Sequence, residues 1–310
     1  MLAVVGAIDA ALDGRDRALL VGCSGGADSL ALAAGAVPVA RRRGLPLSAL
    51  VVDHGLQPGS AAVAERAATV LRGLGVSGTT VTRLTVTPGP GPEAAAREAR
   101  YAALRAAAGE ATILLGHTRD DQAETVLLGL ARGSGVRSLA GMAPRSGSVL
   151  RPLLGLPRST TEAACAELGL EAWSDPHNAD PRFARARVRH RVLPGLEAEL
   201  GPGVAAALAR TAELARADAD LLDRLAAEAD PGGESLDCRA MSALPPALRG
   251  RVLRRWLRRR GAPEVGYHHV PAVGALLEDW HGQGPVPVPG LDVRRSGDRL
   301  HAEPRSGMGG

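Results

Sequence analysis

The chain of 310 residues contains no lysine, so all 37 of its basic residues are arginines. An arginine side chain recognises phosphate in a planar, bidentate way, whereas lysine would provide a flexible point charge. Aromatic residues make up only 2% of the sequence, while hydrophobic residues make up 45%. The core must therefore be built mainly from alanine, leucine and valine. The net charge of +4 is a mild basic excess that leaves the class of partner open.

Cysteines are also few, and long apolar runs are absent. The three cysteines, Cys23, Cys165 and Cys238, lie far apart, and none belongs to a Cys-Xaa-Xaa-Cys pair. This argues against a zinc site and a disulfide framework, and it fits a reducing compartment. No apolar run approaches the length that spans a membrane, and the apolar start (1–12) lacks the basic segment of a signal peptide. We therefore expect a cytoplasmic location and no membrane contact.

Strand-like segments alternate with helix-like segments over the first half of the chain. The predicted strands are 18–22, 47–52, 79–86, 112–115 and 149–154, and the predicted helices are 28–43, 59–74, 93–108, 120–131 and 159–168, the last with Ser159 as its N-cap. This alternation predicts an α/β fold, a doubly wound parallel sheet with helices on both faces. Beyond about Thr211, charged helical segments (211–229 and 247–260) predict a smaller, mainly helical C-terminal domain. Because the chain is long for one core, we place two domains at residues 1–205 and 206–310.

The stretch Ser24-Gly25-Gly26-Ala27-Asp28-Ser29 links the first predicted strand to the first predicted helix. Backbone N–H groups of this turn and of the first helical residues have no partners inside the helix, so they form an anion site. The two glycines let a phosphate approach the backbone closely, and the two serines add hydroxyl donors. The Asp28 carboxylate would repel a bare phosphate but suits Mg²⁺ bound to phosphates. No Gly-Lys-Ser/Thr follows the glycines, so this is not a Walker loop.

Polar residues also follow the second and fourth predicted strands, as Asp53-His54 and His117. Ligands of parallel α/β sheets bind outside the carboxyl ends of the strands, so we expect both groups to converge with the glycine turn on one crevice. On the helix that begins near Asp120, Asp120 and Glu124 are four residues apart and share a face. Such carboxylates either complement the helix dipole or manage metal and phosphate. His117 serves either as a general acid or as a hydrogen-bond donor to phosphate.

The arginines concentrate in two runs. Five of them form the first run, with no acidic residue among them: Arg182, Arg185, Arg187, Arg189 and Arg191. A helix would spread them around its circumference and an extended segment would align the last four, but either arrangement predicts a phosphate-binding strip for a nucleic acid. The second run (249–260) surrounds Trp256 and is either a solvated helix face or an RNA contact. Trp173 and Phe183 flank the first run and are preferred for stacking on an unpaired base, whereas Trp256 is assigned to the core.

The glycine turn resembles the pyrophosphate loop of the N-type ATP pyrophosphatases, which split ATP between its α and β phosphates to make an adenylate. Further motifs occur in the order seen in tRNA(Ile)-lysidine synthases: Gly116-His117-(three residues)-Asp121-Gln122-Ala123-Glu124-Thr125, Arg132-Gly133-Ser134-Gly135 and Arg151-Pro152-Leu153. Glu93–Tyr101 resembles the arginine helix of that family. Asn178–Arg189 resembles its basic segment, with Ala186 where the family usually places asparagine. The resemblance spans about residues 18–196 and implies an adenine nucleotide alpha hydrolase-like fold.

The resemblance implies a ligase that acts on tRNA(Ile). ATP binds with Mg²⁺, and the C2 oxygen of the wobble cytidine (C34) in the CAU anticodon attacks the α-phosphorus. Pyrophosphate leaves, and free L-lysine then displaces AMP from C2 to form lysidine, which changes the codon read from AUG to AUA. The implied ATP-binding residues are Ser24, Gly25, Gly26, Ala27, Asp28, Ser29 and Asp53, and Asp28 is also the implied Mg²⁺ ligand.

The same resemblance implies roles for charged residues outside the glycine turn. The implied catalytic residues are Asp28, His117, Asp121 and Glu124, and the implied phosphate or substrate ligands are Arg97, Arg100, Arg132 and Arg151. Asp121 and Glu124 hold either the ammonium of lysine or a metal ion, and the sequence does not choose between them.

Two other functions stay open at this point. A tRNA-thiolating enzyme of the same superfamily would also deliver sulfur, which generally needs paired or cluster-binding cysteines, and here only Cys23 lies beside the turn. A non-catalytic RNA-binding module is disfavoured by the intact Asp28, Ser29, Asp121 and Glu124. The sequence does not determine the oligomeric state, and a homodimer is included among the predictions.

Overall fold

The computed structural model describes residues 1–53, 55, 59–84, 92–133, 135–175 and 179–305, and only the backbone of residues 92–94. Contacts divide the chain into two compact units, Met1–Glu213 and Leu214–Gly310. The division falls inside one long helix, Val204–Ala229, and therefore lies later than the predicted boundary after residue 205. Some features of the sequence analysis lie outside the described residues: His54, the end of the third predicted strand (85–86), Ser134, Asn178 and the side chains of Glu93 and Ala94.

A six-stranded sheet forms the centre of the first unit. Its strands are β1 (Leu19–Cys23), β2 (Leu47–Asp53), β3 (Gly78–Arg83), β4 (Thr112–Leu115), β5 (Arg145–Ser146) and β6 (Val149–Leu150). Their order is β3-β2-β1-β4-β6-β5, and every neighbouring pair is parallel except β5 with β6. The predicted doubly wound parallel sheet is therefore confirmed, with a short antiparallel hairpin where one strand was predicted over 149–154.

Helices cover both faces of this sheet. The α-helices described up to residue 200 are α1 (Leu2–Ala11), α2 (Ala27–Arg43), α3 (Ser60–Gly73), α4 (Pro92–Ala108), α5 (Arg119–Ala131), α6 (Val136–Leu139), α7 (Arg158–Glu167), α8 (Ala184–Arg187) and α9 (Leu193–Leu200). Helices α1, α2, α3 and α7 enclose one core of alanine, leucine, valine and isoleucine, while α4 packs on the opposite face through Leu104 and Ala108. A core of small aliphatic residues is what the scarcity of aromatics predicts.

Two helices differ from the sequence-based expectation. The apolar start forms α1, whose Val4 and Ile8 are fully buried, because this stripe covers part of the core beside α2. Helix α7 begins at Arg158 with Pro157 as its N-cap, so the predicted N-cap Ser159 lies inside the helix and that prediction is wrong. The backbone N–H of Arg158 donates to a carboxylate oxygen of Asp120 at 2.8 Å.

Four of the five arginines of the first run lie in a helical segment, and Arg182 precedes it. Between α8 and α9, residues Val188–Val192 form a π-helical turn, and the three pieces follow one another directly from Ala184 to Leu200. Of the two arrangements that the sequence allows, the structure therefore has the one in which the arginines point in different directions.

The second unit combines helices with an antiparallel sheet. It contains the end of α10 (Val204–Ala229), α11 (Cys238–Ala243), α12 (Pro246–Arg259) and α13 (His269–Glu278), and the strands β7 (Ser235–Asp237), β8 (Val286–Val288), β9 (Leu291–Ser296) and β10 (Arg299–Pro304). The strand order is β7-β10-β9-β8. The predicted helices are present, whereas the sheet was not predicted. Trp256 is 0% exposed in this core, which confirms its assignment. Among the described residues, no helix combines the length and apolarity needed to cross a membrane.

Candidate active site

The glycine turn between β1 and α2 is held by its own hydrogen bonds. Gly25 has a φ of +81°, a left-handed conformation that glycine adopts without strain. The Ser29 hydroxyl donates to the Gly26 carbonyl at 2.9 Å and accepts from the Ser24 N–H at 3.2 Å. Ser29 therefore braces the turn, beyond its predicted role as a phosphate donor. Gly26 is the N-cap of α2 and cannot cap it with a side chain, so the first N–H groups of the helix can bind an anion.

The end of β4 lies directly against this turn. A Cβ atom at Gly116 would lie 2.7 Å from the Asp28 carbonyl oxygen, so only glycine permits this approach. Helix α5 then begins with a capping box, in which one oxygen of Asp121 accepts from the Thr118 N–H at 2.8 Å and from the Thr118 hydroxyl at 3.0 Å. The structure therefore brings His117 and Asp121 to the same edge of the sheet as the glycine turn.

Arg158, the first residue of α7, connects the turn to α5. Its guanidinium nitrogens lie 3.4 Å from Asp28 Oδ2, 3.0 Å from Asp121 Oδ1 and 3.7 Å from Glu124 Oε1. The other carboxylate oxygen of Asp28 accepts a hydrogen bond from the Thr161 hydroxyl. Arg158 thus lies where three carboxylates meet.

Two arginines of the helical segment that starts with α8 also reach the carboxylates of α5. Arg185 Nε is 2.7 Å from Glu124 Oε2, and Arg189 Nε is 2.6 Å from Glu124 Oε1. Both guanidiniums approach Asp121 Oδ1 as well, at 3.3 and 3.0 Å. Three carboxylates and three guanidiniums thus form a charge-balanced group, called here the acid–arginine cluster: Asp28, Asp121, Glu124, Arg158, Arg185 and Arg189.

Burial and neighbouring charge act differently on two carboxyls of this cluster. Burial raises the pKa of Asp28, and the charge of Asp121 adds to this effect despite the hydrogen bond from Thr161 and the charge of Arg158. Burial also raises the pKa of Asp121, but the guanidiniums of Arg158 and Arg185 outweigh it and hold that pKa below its usual value. The surroundings therefore favour the ionised form of Asp121 and disfavour that of Asp28.

His117 lies beside the cluster as a neutral imidazole. Burial lowers its pKa to about 3, and the charges of Arg151, Arg100 and Arg185 act in the same direction, against that of Asp121. Its Nδ1 atom is buried and has no hydrogen-bond partner among the described residues. Of its two predicted roles, this environment favours hydrogen bonding over proton donation from an imidazolium.

A cavity of about 170 Å³ opens beside the cluster in the first unit. Its walls are formed by Asp120, Glu124, Arg158, Arg189, Leu193, Pro194, Glu197 and Ala205. Glu197 also accepts hydrogen bonds from the backbone N–H groups of Gly203 and Ala205, at 2.6 and 3.0 Å. With three carboxylates and two guanidiniums, the walls suit a small ligand that carries charges of both signs.

The four arginines predicted to bind phosphate or substrate lie at two different places in the first unit. Arg97 and Arg100 of α4 meet Arg151, which follows β6, around the side chain of Tyr101. Arg132 is the C-cap of α5, a helix of 13 residues, and lies about 20 Å along its axis from Thr118. The structure therefore does not bring Arg132 to the acid–arginine cluster.

Asp53 lies at the carboxyl end of β2, next to the end of β1. It is only 4% exposed, and its Oδ1 accepts from the Gly55 N–H at 2.9 Å. Its Oδ2 lies 3.9 Å from Arg83 Nε of the neighbouring strand β3, so Asp53 borders the same edge of the sheet as the glycine turn.

The five arginines of the first run do not form one strip, which corrects that prediction. Arg185 and Arg189 turn to the cluster because the buried carboxylates of α5 attract them. Arg182 pairs with Asp180 at 2.7 Å, and Arg187 donates to the carbonyls of Pro181 and Arg182. Arg182, Arg187 and Arg191 are exposed.

The arginines of the second run mostly have acidic partners. The ion pairs are Arg249–Glu278, Arg251–Asp223, Arg255–Asp230, Arg259–Asp230 and Arg260–Glu234. This pairing favours the interpretation of the run as a solvated helix face.

The sequence analysis did not identify Arg158 or Thr161. A signal was present: an arginine at the first position of a helix is unfavourable beside the positive end of the helix dipole. Its presence directly before the predicted helix 159–168 indicates a compensating carboxylate. The partners themselves, more than 30 residues earlier in the chain, leave no local trace.

The residues at the turn fit a Mg²⁺ ion that is bound through Asp28 and the phosphates of a nucleotide. In the part of the chain that the structure describes, no group of three or more histidine, cysteine or acidic residues could hold a metal ion. Asp28 offers hard carboxylate oxygens beside the anion site, and Mg²⁺ is commonly held by one or two carboxylates together with substrate phosphates. The donor set therefore suits a metal that is bound mainly by a nucleotide.

Two family models match the chain. The PP-loop domain matches residues 6–196, and the TilS substrate binding domain matches residues 236–301. A tRNA(Ile)-lysidine synthase from Leifsonia xyli is 54% identical over 299 residues, which cover 93% of this chain and 90% of the relative. The chain belongs to the tRNA(Ile)-lysidine synthase family. The family member from Streptomyces coelicolor is 52% identical over 295 residues, covering 91% of this chain and 84% of the relative. The family thus includes the second unit, which the resemblance found in the sequence did not reach.

A solved structure supports the fold of the family's PP-loop unit. The U34-tRNA thiolase NcsA from Methanococcus maripaludis, with its [4Fe-4S] cluster, matches with a TM-score of 0.55 and 19% identity over 69% of this chain and 79% of that one. At that identity the match shows the fold alone. The three cysteines of the present chain are buried and free, and burial raises the pKa of Cys23. Together with the much closer lysidine synthase relatives, this does not favour a thiolating enzyme.

Proposed function

We propose that this chain is an ATP-dependent ligase that forms lysidine at the wobble cytidine of tRNA(Ile) with a CAU anticodon. In the first step the C2 oxygen of C34 attacks the α-phosphorus of ATP and pyrophosphate leaves. In the second step the amine of L-lysine displaces AMP from C2. The observation that carries the proposal is the meeting, at one sheet edge, of an anion-binding glycine turn with three carboxylates and three guanidiniums.

Our proposal assigns the phosphates of ATP to the N-terminus of α2. The N–H groups of the turn bind the pyrophosphate portion, because it carries the charge that the helix dipole favours. Asp28 would hold a Mg²⁺ ion, which neutralises phosphate charge when it is bound. Neutral His117 donates a hydrogen bond to a phosphate oxygen, and Asp53 bounds the nucleotide side of the crevice. Such a reaction needs alignment and charge neutralisation more than a protein nucleophile.

The cavity beside the acid–arginine cluster is the proposed lysine site. The five charged side chains that line the cavity carry a net charge of −1, which complements the +1 charge of free lysine. Glu124 and Asp120 are suited to an ammonium group, while Arg158 and Arg189 are suited to the lysine carboxylate. For Glu124, this arrangement favours lysine over a metal ion, whereas Asp121 is not among the residues that line the cavity.

The proposal is tested by the incorporation of labelled lysine into a tRNA(Ile) transcript in the presence of ATP. We expect incorporation with cytidine at the wobble position and none with uridine. Cytosine has an unprotonated N3 and a C4 amino group that make its C2 oxygen nucleophilic, whereas uracil has a protonated N3 and a C4 carbonyl. The uridine transcript is the matched control, since it differs at a single base. Equal labelling of both transcripts, or labelling without ATP, would contradict the proposed reaction.

The exposed arginines of the first run are the proposed tRNA contacts. Replacing Arg182, Arg187 and Arg191 together by alanine should weaken tRNA binding and reduce the slope of log K against log salt by up to about 2 to 3, at about 0.7 to 0.9 for each lost phosphate contact. Filter binding over a range of salt concentrations measures this slope. Arg15, exposed and paired with Asp13 near the start of the chain, provides the control variant Arg15→Ala. A salt slope equal to that of the parent protein would exclude these contacts.

A homodimer and a cytoplasmic location stay predictions from the sequence.

A further inference from the structure

Tyr101 lies at the centre of a second group of arginines, away from the carboxylates of the cluster. The guanidinium carbon atoms of Arg97 and Arg100 are 5.1 and 5.6 Å from the centroid of its ring. Its hydroxyl oxygen accepts from Arg151 at 3.2 Å and from Arg97 at 3.4 Å. One aromatic side chain thus contacts three guanidiniums by its face or its hydroxyl, which are both electron-rich.

The charge of this group has no acidic counterpart among the described residues. Arg151 is only 8% exposed, and its hydrogen bonds go to two neutral acceptors, the Ala143 carbonyl and the Tyr101 hydroxyl. The Nε atoms of Arg100 and Arg151 are buried without a hydrogen-bond partner in the described part of the chain. Burying a guanidinium without an anion is costly, so the arrangement calls for a negative ligand.

The position of the group relates it to the active site. Arg97, Arg100 and Tyr101 belong to α4, which packs on β1, β2 and β4, the strands whose ends carry the glycine turn, Asp53 and His117. Arg100 and Arg151 are close enough to His117 for their charges to affect it. A ligand bound between them would therefore lie at the edge of the sheet where the reaction is proposed to occur.

We infer that Tyr101 is a positioning residue that holds Arg97, Arg100 and Arg151 together as a receptor for one phosphate group of the substrates. This inference rests on the proposed function: the resemblance already implies phosphate binding for the three arginines, and the role of Tyr101 in holding them together is the new part. The phosphate belongs either to the nucleotide or to the tRNA backbone, two sources with the same chemistry.

Tyr101 itself can report the occupancy of the receptor. Burial raises its pKa, but the hydrogen bond from Arg151 and the charges of Arg97, Arg151 and Arg100 outweigh this, so the pKa lies below the usual value. A phosphate bound to those arginines neutralises the charges that stabilise the phenolate. Binding must therefore raise the pKa of Tyr101.

The chain offers a clean probe because it contains only two tyrosines. The other, Tyr267, is 78% exposed in the second unit, so Tyr267→Phe leaves Tyr101 as the single signal. We would label tyrosine with ¹³C at Cζ and follow its chemical shift against pH. Four samples are compared: the protein alone, and the protein with inorganic pyrophosphate, with AMP or with the tRNA(Ile) transcript. We expect a higher titration midpoint with at least one ligand, and the ligand that produces it identifies the source of the phosphate.

A midpoint that none of the three ligands changes would overturn the inference. The result is independent of catalysis, so a midpoint that shifts in a protein unable to incorporate lysine would contradict the proposed function and leave the receptor in place. The reverse result would remove the receptor and keep the function.

Kinetics of two variants separate positioning from folding. Tyr101→Phe keeps the ring and loses the hydroxyl acceptor, so we expect KM for the phosphate-bearing substrate to rise about ten-fold with kcat little changed. Tyr101→Leu also loses the ring face and should raise KM further. A fall in kcat alone, with KM unchanged in both variants, would contradict a role in holding the receptor. Tyr267→Phe is the matched control and should keep the parental KM.

Discussion

Replacing Asp28 by alanine should abolish formation of the adenylate while leaving tRNA binding nearly intact. Asp28 is the carboxylate beside the anion-binding turn, and it faces Arg158 at 3.4 Å. Its loss removes the oxygen ligands proposed for Mg²⁺ and one of the groups that orient Arg158. Removing one preorganised electrostatic group typically costs two to three orders of magnitude in rate, and we expect at least about 10³-fold here. ATP–pyrophosphate exchange in the presence of tRNA measures adenylation, and filter binding measures tRNA affinity.

The fold should tolerate this change, because Arg158 keeps Asp121 and Glu124 as partners. Asp28→Asn is the matched control for shape, since it keeps the size and an acceptor for the Thr161 hydroxyl but removes the charge. Both variants should fail in exchange. If alanine reduced exchange and tRNA binding equally, Asp28 would have a structural role instead of the proposed one.

Replacing Glu124 by alanine should destabilise the first unit and abolish transfer of lysine. The Glu124 side chain is fully buried and contacts Arg158, Arg185 and Arg189. Without it the cluster holds three guanidiniums and two carboxylates. Removing one partner of a buried ion pair typically lowers the free energy of unfolding by about 3 to 5 kcal/mol, because the other charge is left uncompensated. Denaturant unfolding measures this loss, and labelled lysine measures the transfer.

An exposed glutamate nearby supplies the control. Glu199 of α9 has no ion pair in the described part of the chain, so Glu199→Ala should change stability by less than about 0.5 kcal/mol. Combining Glu124→Ala with Arg189→Ala should recover part of the lost stability, since it restores the charge balance, but it should not restore lysine transfer. Additive losses in the double variant would show that the two side chains do not interact.

Together these variants separate two halves of one site. Asp28 belongs to the nucleotide half, beside the turn, and Glu124 to the half that borders the cavity of about 170 Å³. Arg158 touches both carboxylates, and it is therefore placed to couple binding of the nucleotide to binding of lysine.

Local pattern was enough to predict the parts of the fold that depend on neighbours in sequence. The apolar runs and the glycine turn located β1, β2, β4 and α2 to α5 to within one residue, because each type of element repeats its apolar residues with a characteristic period. They also located the start of β3, which ends at Arg83 although the prediction extended to residue 86. The same reasoning missed the antiparallel sheet of the second unit. Its strands are short and contain several arginines and prolines, so their pairing is decided by the core that they cover.

By itself, then, the sequence determined the α/β architecture, the glycine turn and the membership of His117, Asp121 and Glu124 in one motif. Only the tertiary structure decided which arginines those carboxylates meet. Arg185 and Arg189 lie about 60 residues further along the chain and read as part of a tRNA-binding strip, yet they are turned inward toward the charge of α5. The partners of Arg158 and the contact between Tyr101 and Arg151 likewise left no trace in the local sequence. Ion pairs of this kind depend on distance in space and on burial, and neither is encoded in the local spacing of residues.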